Sequence, residues 1–204
     1  NLGDADVTTS VSTVSTTGVD GQTTYRLTIS LNPATESNVY ALAGTPDSGA
    51  LSMPAAYQVA APFGADIGGV DPAFFAFSGE AEFDSWITIG MTDGSDPNAI
   101  SASPGLGLDA WTADAAFSTD NGAIFWMTPS AGPSGSNIAM AQLTMPSSAS
   151  GTATGVAQGD AADGTSWQAL VSWEISGEGG GCDGGQQWRR AYEKRGVRHD
   201  LDPW

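Results

Sequence analysis

The chain has 204 residues, 27 of them glycine and 11 proline, and carries a formal charge of −17 at pH 7. That length supplies one domain with a sizeable core plus a short appendage, and 40% apolar against 14% charged residues excludes a disordered polyelectrolyte. A body this acidic does not bind nucleic acid or anionic membranes by charge, and no stretch approaches the roughly 18 continuous apolar residues of a membrane span.

The charge is unevenly placed. Residues 1–181 hold nineteen carboxylates and a single cation, Arg26. Residues 182–204 hold the other five cations, Arg189, Arg190, Lys194, Arg195 and Arg198, together with the only histidine, His199. A lysine-free acidic surface suits salty surroundings, where ions screen self-repulsion. A marine or halophilic source and an extracellular, cell-surface or organelle-lumen location are therefore expected. Asn1 is not an initiator methionine, so an upstream targeting segment is expected to have been removed. The one cysteine, Cys182, rules out an internal disulfide and is either incidental or available for pairing between chains.

Strand signals recur along the chain. The run "VTTSVSTVSTT" (7–17) is rich in threonine and valine with little to bury, as an edge strand would be. In "TTYRLTISL" (23–31) Tyr25, Leu27, Ile29 and Leu31 alternate with Arg26, Thr28 and Ser30, which puts the apolar set on one face. Further strands are expected in "NVYALAG" (38–44), "AFFAFS" (73–78), "DSWITIGM" (84–91), "AIFWMT" (123–128) and "NIAMAQLTM" (137–145). The last run, "SWQALVSWEI" (166–175), places Trp167, Ala169, Val171, Trp173 and Ile175 on one face. With turn signals such as "TDG", "DNG" and "GPSG" between them, these predict an antiparallel β-sandwich, jelly-roll-like, of about 7–10 strands over residues 1–176. An echo between 38–58 and 123–142 is read either as two sheets related by pseudo-symmetry or as a product of small-residue composition.

A glycine-rich linker (177–185) follows, and then a basic aromatic tail (186–204). In the tail, Trp188, Ala191, Tyr192 and Arg195 share a face at helical spacing, and Gly196 is a natural stop.

Catalytic signals are sparse, and no catalytic residue is assigned. With no histidine in the body, a Ser-His-Asp or Cys-His arrangement and a Cys/His zinc site are excluded there. The segment "GLGLDA" (105–110) lacks the third glycine of a dinucleotide fingerprint. Glu80, Glu82 and Asp84 alternate in "GEAEFDSW" and would share one strand face, as the acids of jelly-roll glycoside hydrolases do. The competing reading is a polar outer face. Asp93, Asp96 and Asn98 cluster in "TDGSDPN" as candidate Ca²⁺ ligands, against the reading of an Asx-rich turn. No other cofactor is implied. Of the tryptophans, Trp86, Trp126, Trp167 and Trp173 sit in strand patterns and are assigned to the core, leaving Trp111 as the candidate exposed aromatic for glycan contact.

The set "MPAAYQVAAPFGADIGG" (53–69), "PAFFAF" (72–77), "AEFDSWITIG" (81–90), "NGAIFWMTPSAGPSG" (121–135) and "MAQLTM" (140–145) resembles a repeated β-domain of secreted, surface or shell proteins of marine microalgae and related protists, with the shell proteins around diatom-type pyrenoids as relatives. It covers roughly residues 25–175. The resemblance implies a building block used in arrays, located at the cell surface or around the plastid pyrenoid, and transfers no catalytic residue. This chain holds a single copy, so an array would arise from association between chains.

The expectation is a non-enzymatic structural protein that self-assembles into filaments or sheets, its partners being copies of itself. Trp188, Arg189, Arg190, Tyr192, Lys194, Arg195, Arg198 and Trp204 are the expected contacts on a neighbouring subunit. The alternative is a secreted carbohydrate-binding or glycoside-hydrolase-like jelly roll with a polysaccharide partner.

Overall fold

The computed structural model describes residues 5–177. Within them the threonine- and valine-rich runs pair as two antiparallel sheets of a β-sandwich. In chain order the strands are β1 (Val7–Ser15), β2 (Gln22–Leu31), β3 (Ala41–Gly44), β4 (Leu51–Met53), β5 (Trp86–Ile87), β6 (Ile100–Ala102), β7 (Phe117–Thr119), β8 (Gly122–Trp126), β9 (Ile138–Pro146), β10 (Gly151–Asp160) and β11 (Ser166–Ile175). One sheet has four strands in the order β1-β2-β9-β5; the other has seven.

The seven-stranded sheet is simpler than that count suggests. β11 pairs along the whole of β10, so β3 and β4 share its opposite flank, at Val156–Gln158 and at Thr154. They are one strand interrupted by an excursion at 45–50, which the Thr45–Gly49 bridge closes. β7 and β8 form the matching line beside them, bent at 120–121. The eleven segments thus trace nine strand lines, within the expected range.

β1 pairs with β2 alone and is an edge strand, as its composition predicts. Tyr25, Leu27, Ile29 and Leu31 of β2 are buried in the core between the sheets, and so are Trp167, Val171, Trp173 and Ile175 of β11. Three of the buried indoles donate their N–H to backbone carbonyls: Trp173 to Thr28 (2.8 Å), Trp167 to Asn38 (3.1 Å) and Trp111 to Pro54 (2.8 Å). An indole without such a partner would leave a polar group unsatisfied in the core.

β10 explains how four bulky side chains of β11 fit. Across the pair, Gly151 faces Ile175, Ala153 faces Trp173, Gly155 faces Val171 and Gly159 faces Trp167. Small residues on one strand make room for large ones on the next.

Two expectations need correction. "AFFAFS" is not a strand: residues 72–74 form a 3₁₀ turn, with Pro72 at its start and Asp71 accepting from the Ala73 amide. Pro72 supplies no ladder donor, which favours a turn over a strand. Nor do 38–58 and 123–142 mark two sheets related by pseudo-symmetry. The first keeps β3 and β4 in one sheet, whereas the second crosses from β8 in one sheet to β9 in the other.

Candidate functional site

The outer face of the four-stranded sheet is covered over β2 and β9, though not over the edge strand β1. Thr24, Gln142 and Thr144 point there and are buried, because residues 54–85 fold over them. Gln142 fixes this cover: its Nε2 donates to the carbonyls of Glu82 (2.9 Å) and Asp84 (2.8 Å). The Thr144 amide donates to Ser85 Oγ, and the Tyr57 amide to the Thr144 carbonyl.

Asp84 is the pin of the cover. It is fully buried, with Oδ1 accepting from the amides of Val59 (2.7 Å) and Ser85 (2.9 Å) and Oδ2 from Ala65 (2.7 Å). Burial pushes its carboxyl up to about 6, against the pull of those three amides and with help from the Asp66 charge. One side chain thereby fastens the 59–65 loop to the sheet.

Arg26, the one cation among the described residues, is committed in the same layer. Its guanidinium lies 4.8 Å above the Trp86 ring, and Nη2 donates to Gln142 Oε1 at 2.7 Å. Nε is buried without a partner, and burial pulls the group below its ordinary pKa. Both of these partners, the Trp86 ring and the Gln142 amide, are neutral.

Beside this layer lies a groove of about 480 Å³ whose walls include Ile67, Asp71, Phe74, Met91, Asp96 and Ile100, within the roughly 300–1,000 Å³ of ligand clefts. Glycines bring its two loops together. Gly94 donates to the Val70 carbonyl at 3.0 Å, and a Cβ on Gly69, whose φ is +94°, would fall 2.9 Å from Asp93 Cα. Phe74 meets Phe63 edge-to-face at 5.8 Å between centroids, while Phe77, 77% exposed, stands just beyond. Asp71 and Asp96, both exposed, are the two carboxylates on the groove's walls.

The remaining sequence-derived candidates disperse. Glu80 and Glu82 lie on a 3₁₀ segment, Gly79–Phe83, and not on a strand. Glu80 accepts from the Tyr57 hydroxyl while Asp84 is buried, so the three acids share no face. Asp93 and Asp96 accept from the amides of Ser95 and Asn98, closing Asx turns. No group of three acidic, Cys or His side chains able to hold a metal occurs among the described residues. Trp111 is 2% exposed and is a core residue, not a surface platform. Trp86, Trp167 and Trp173 are buried, whereas Trp126 is half-buried with its N–H on the Ile89 carbonyl. Cys182 and the tail residues Trp188, Arg189, Arg190, Tyr192, Lys194, Arg195, Arg198 and Trp204 lie outside the described residues. No helix among the described residues is long and apolar enough to cross a membrane. Sequence reasoning missed Phe74, Phe77 and Met91. The signal available was Pro72 and Gly79, which bracket the aromatic run and break a strand there.

No protein-family model, curated protein or solved structure matches the chain. What the fold and the groove define is a β-sandwich carrying an acidic, aromatic-rimmed surface on one covered sheet.

Proposed function

We propose that the chain is a non-enzymatic structural protein whose β-sandwich is joined into filaments or sheets by its tail, residues 186–204, docking on a neighbouring subunit. The observation that carries this reading is the separation of charge. The described body offers one cation, Arg26, already held by Trp86 and Gln142, whereas the tail holds five with three large aromatics. A segment of that composition complements the acidic surface of its own kind, and aromatic and arginine side chains dominate interface energies. A tail of one copy on the body of the next makes a head-to-tail contact, which closes into a ring or continues as a filament. The location follows the same reading: extracellular or cell-surface, or the shell around a plastid pyrenoid, as the resemblance to microalgal β-domains implies. The carbohydrate-binding alternative leaned on Trp111, which is buried.

Electron microscopy and sedimentation velocity of the full chain, beside a chain ended after Gly181, test the proposal. Extended assemblies are expected from the first and a folded, more acidic monomer from the second. The same assemblies from both would sink it.

A further inference from the structure

We infer that the groove between Phe74 and Met91 is the receptor for the tail, Trp188 entering its apolar floor while Arg189 and Arg190 face Asp71 and Asp96. This rests on the assembly reading above and adds the docking place. The groove combines apolar walls, Ile67, Phe74, Met91 and Ile100, with two carboxylates on its rim. Such a site recognises a flat apolar side chain flanked by cations, because the ring is desolvated in the floor while the charges stay at the wet edge. Within this chain that pattern occurs in "QQWRRAYEKRG" and nowhere in residues 5–177, where Arg26 is the sole cation. Phe74 and Phe77, 37% and 77% exposed, extend the apolar surface beyond the groove for a second aromatic such as Tyr192.

Two other exposed apolar side chains, Leu170 and Val14, sit in different surroundings. Leu170 stands on the β11 face beside Gly49, whereas Val14 of β1 lines a cleft with Phe75, Trp86, Glu82 and Asp93. Arg26 is in the wall of that cleft and repels an incoming cation, whereas the groove between Phe74 and Met91 has no cation in its walls.

The sequence supplies its own probe, since Lys194 is the only lysine. Carbodiimide treatment of the full-length chain joins a lysine amine to a carboxylate in contact with it, and peptide mass spectrometry reads which one. Mixing ¹⁵N-labelled and unlabelled chains separates links within a chain from links between chains. The expected product joins Lys194 to Asp71, Asp96 or Asp66, with yield falling roughly tenfold or more in Trp188→Ser and in Phe74→Ser. Phe74 is partly exposed, so its substitution leaves the core intact. Lys194 linked instead to Asp20, Asp47 or Asp163, or links to Asp71 and Asp96 that Trp188→Ser leaves unchanged, would overturn the groove assignment. Tail-dependent assembly together with such distant links would reject the groove and keep the assembly reading. Links to Asp71 or Asp96 found only within single chains would keep the groove and reject assembly.

Discussion

Gly159 and Trp167 stand opposite each other on β10 and β11, and a Cβ on Gly159 would lie 2.6 Å from the indole and 1.9 Å from the Asn38 carbonyl oxygen. The indole occupies the space a side chain would take, and its N–H is held by that same carbonyl. Gly159→Ala is therefore expected to destabilise the fold by roughly 1–3 kcal/mol through overpacking, a Tm loss of about 2–4 °C per kcal/mol in a chain of this size. Gly79→Ala, where a Cβ meets nothing within 4 Å, is the control and should stay within about 0.5 kcal/mol of the parent. Equal melting shifts by circular dichroism would contradict the size pairing of β10 with β11.

Trp111 tests whether the core or a ligand claims that indole. Trp111→Phe keeps most of the buried volume but leaves the Pro54 carbonyl unpaired, a loss of roughly 1–3 kcal/mol. Trp111→Ala should cost about 3–5 kcal/mol. Both are read by urea unfolding. A glycan platform would behave oppositely: the alanine variant would lose retention in polysaccharide affinity electrophoresis while keeping its stability.

Asp84 gives the fold a pH dependence with a definite sign. Its native carboxyl titrates near 6, above the ordinary 3.8, so the folded state holds the proton more tightly than the unfolded state does. The stability this provides is complete below the ordinary value and is lost as pH rises through about 6. Burial also raises Asp66, which acts in the same direction. Asp84→Asn should remove much of the decline across that window relative to the parent. Parallel stability curves for the two chains from pH 4 to 7, by chemical unfolding, would show that Asp84 is not the group responsible.

The strands that announced themselves in the sequence are those with one buried face. β2 and β11 alternate because solvent or a polar layer lies on the other side. β10 was silent for a physical reason. Its inward residues are Gly151, Ala153, Gly155, Ala157 and Gly159, which carry almost no hydrophobic signal; all but Ala157, which faces Ala169, leave the bulk to a large partner on β11. The four-stranded sheet misled in the opposite direction. Its second face bears Thr24, Arg26, Gln142 and Thr144, a pattern that reads as solvent-facing, yet residues 54–85 cover it. Asp84 looked like part of a polar rim for the same reason. The groove was illegible because its walls come from 65–74 and 91–102. Only the close approach of Gly69 and Gly94, unreadable as a pair from their positions, brings those walls together.

Arg26 supports the last prediction. Its contacts are the Trp86 ring and the Gln142 amide, and Gln142 in turn holds the Glu82 and Asp84 carbonyls. A planar guanidinium can stack and donate at once, whereas a lysine ammonium cannot reproduce both. Arg26→Lys is expected to cost roughly 1–2 kcal/mol, the order of one desolvated cation–π contact. Because both partners are neutral, that cost should be the same at about 0.1 M and 1 M salt, although the Debye length falls from about 10 Å to 3 Å over that range. If Glu82 and Asp93, which line the same cleft, were the true partners, added salt would shrink the difference between the two chains. Urea unfolding of parent and Arg26→Lys at both salt concentrations decides between the two arrangements. A difference that fades with salt would assign Arg26 to the acids and remove it from the seam that fastens residues 54–85 to the sheet.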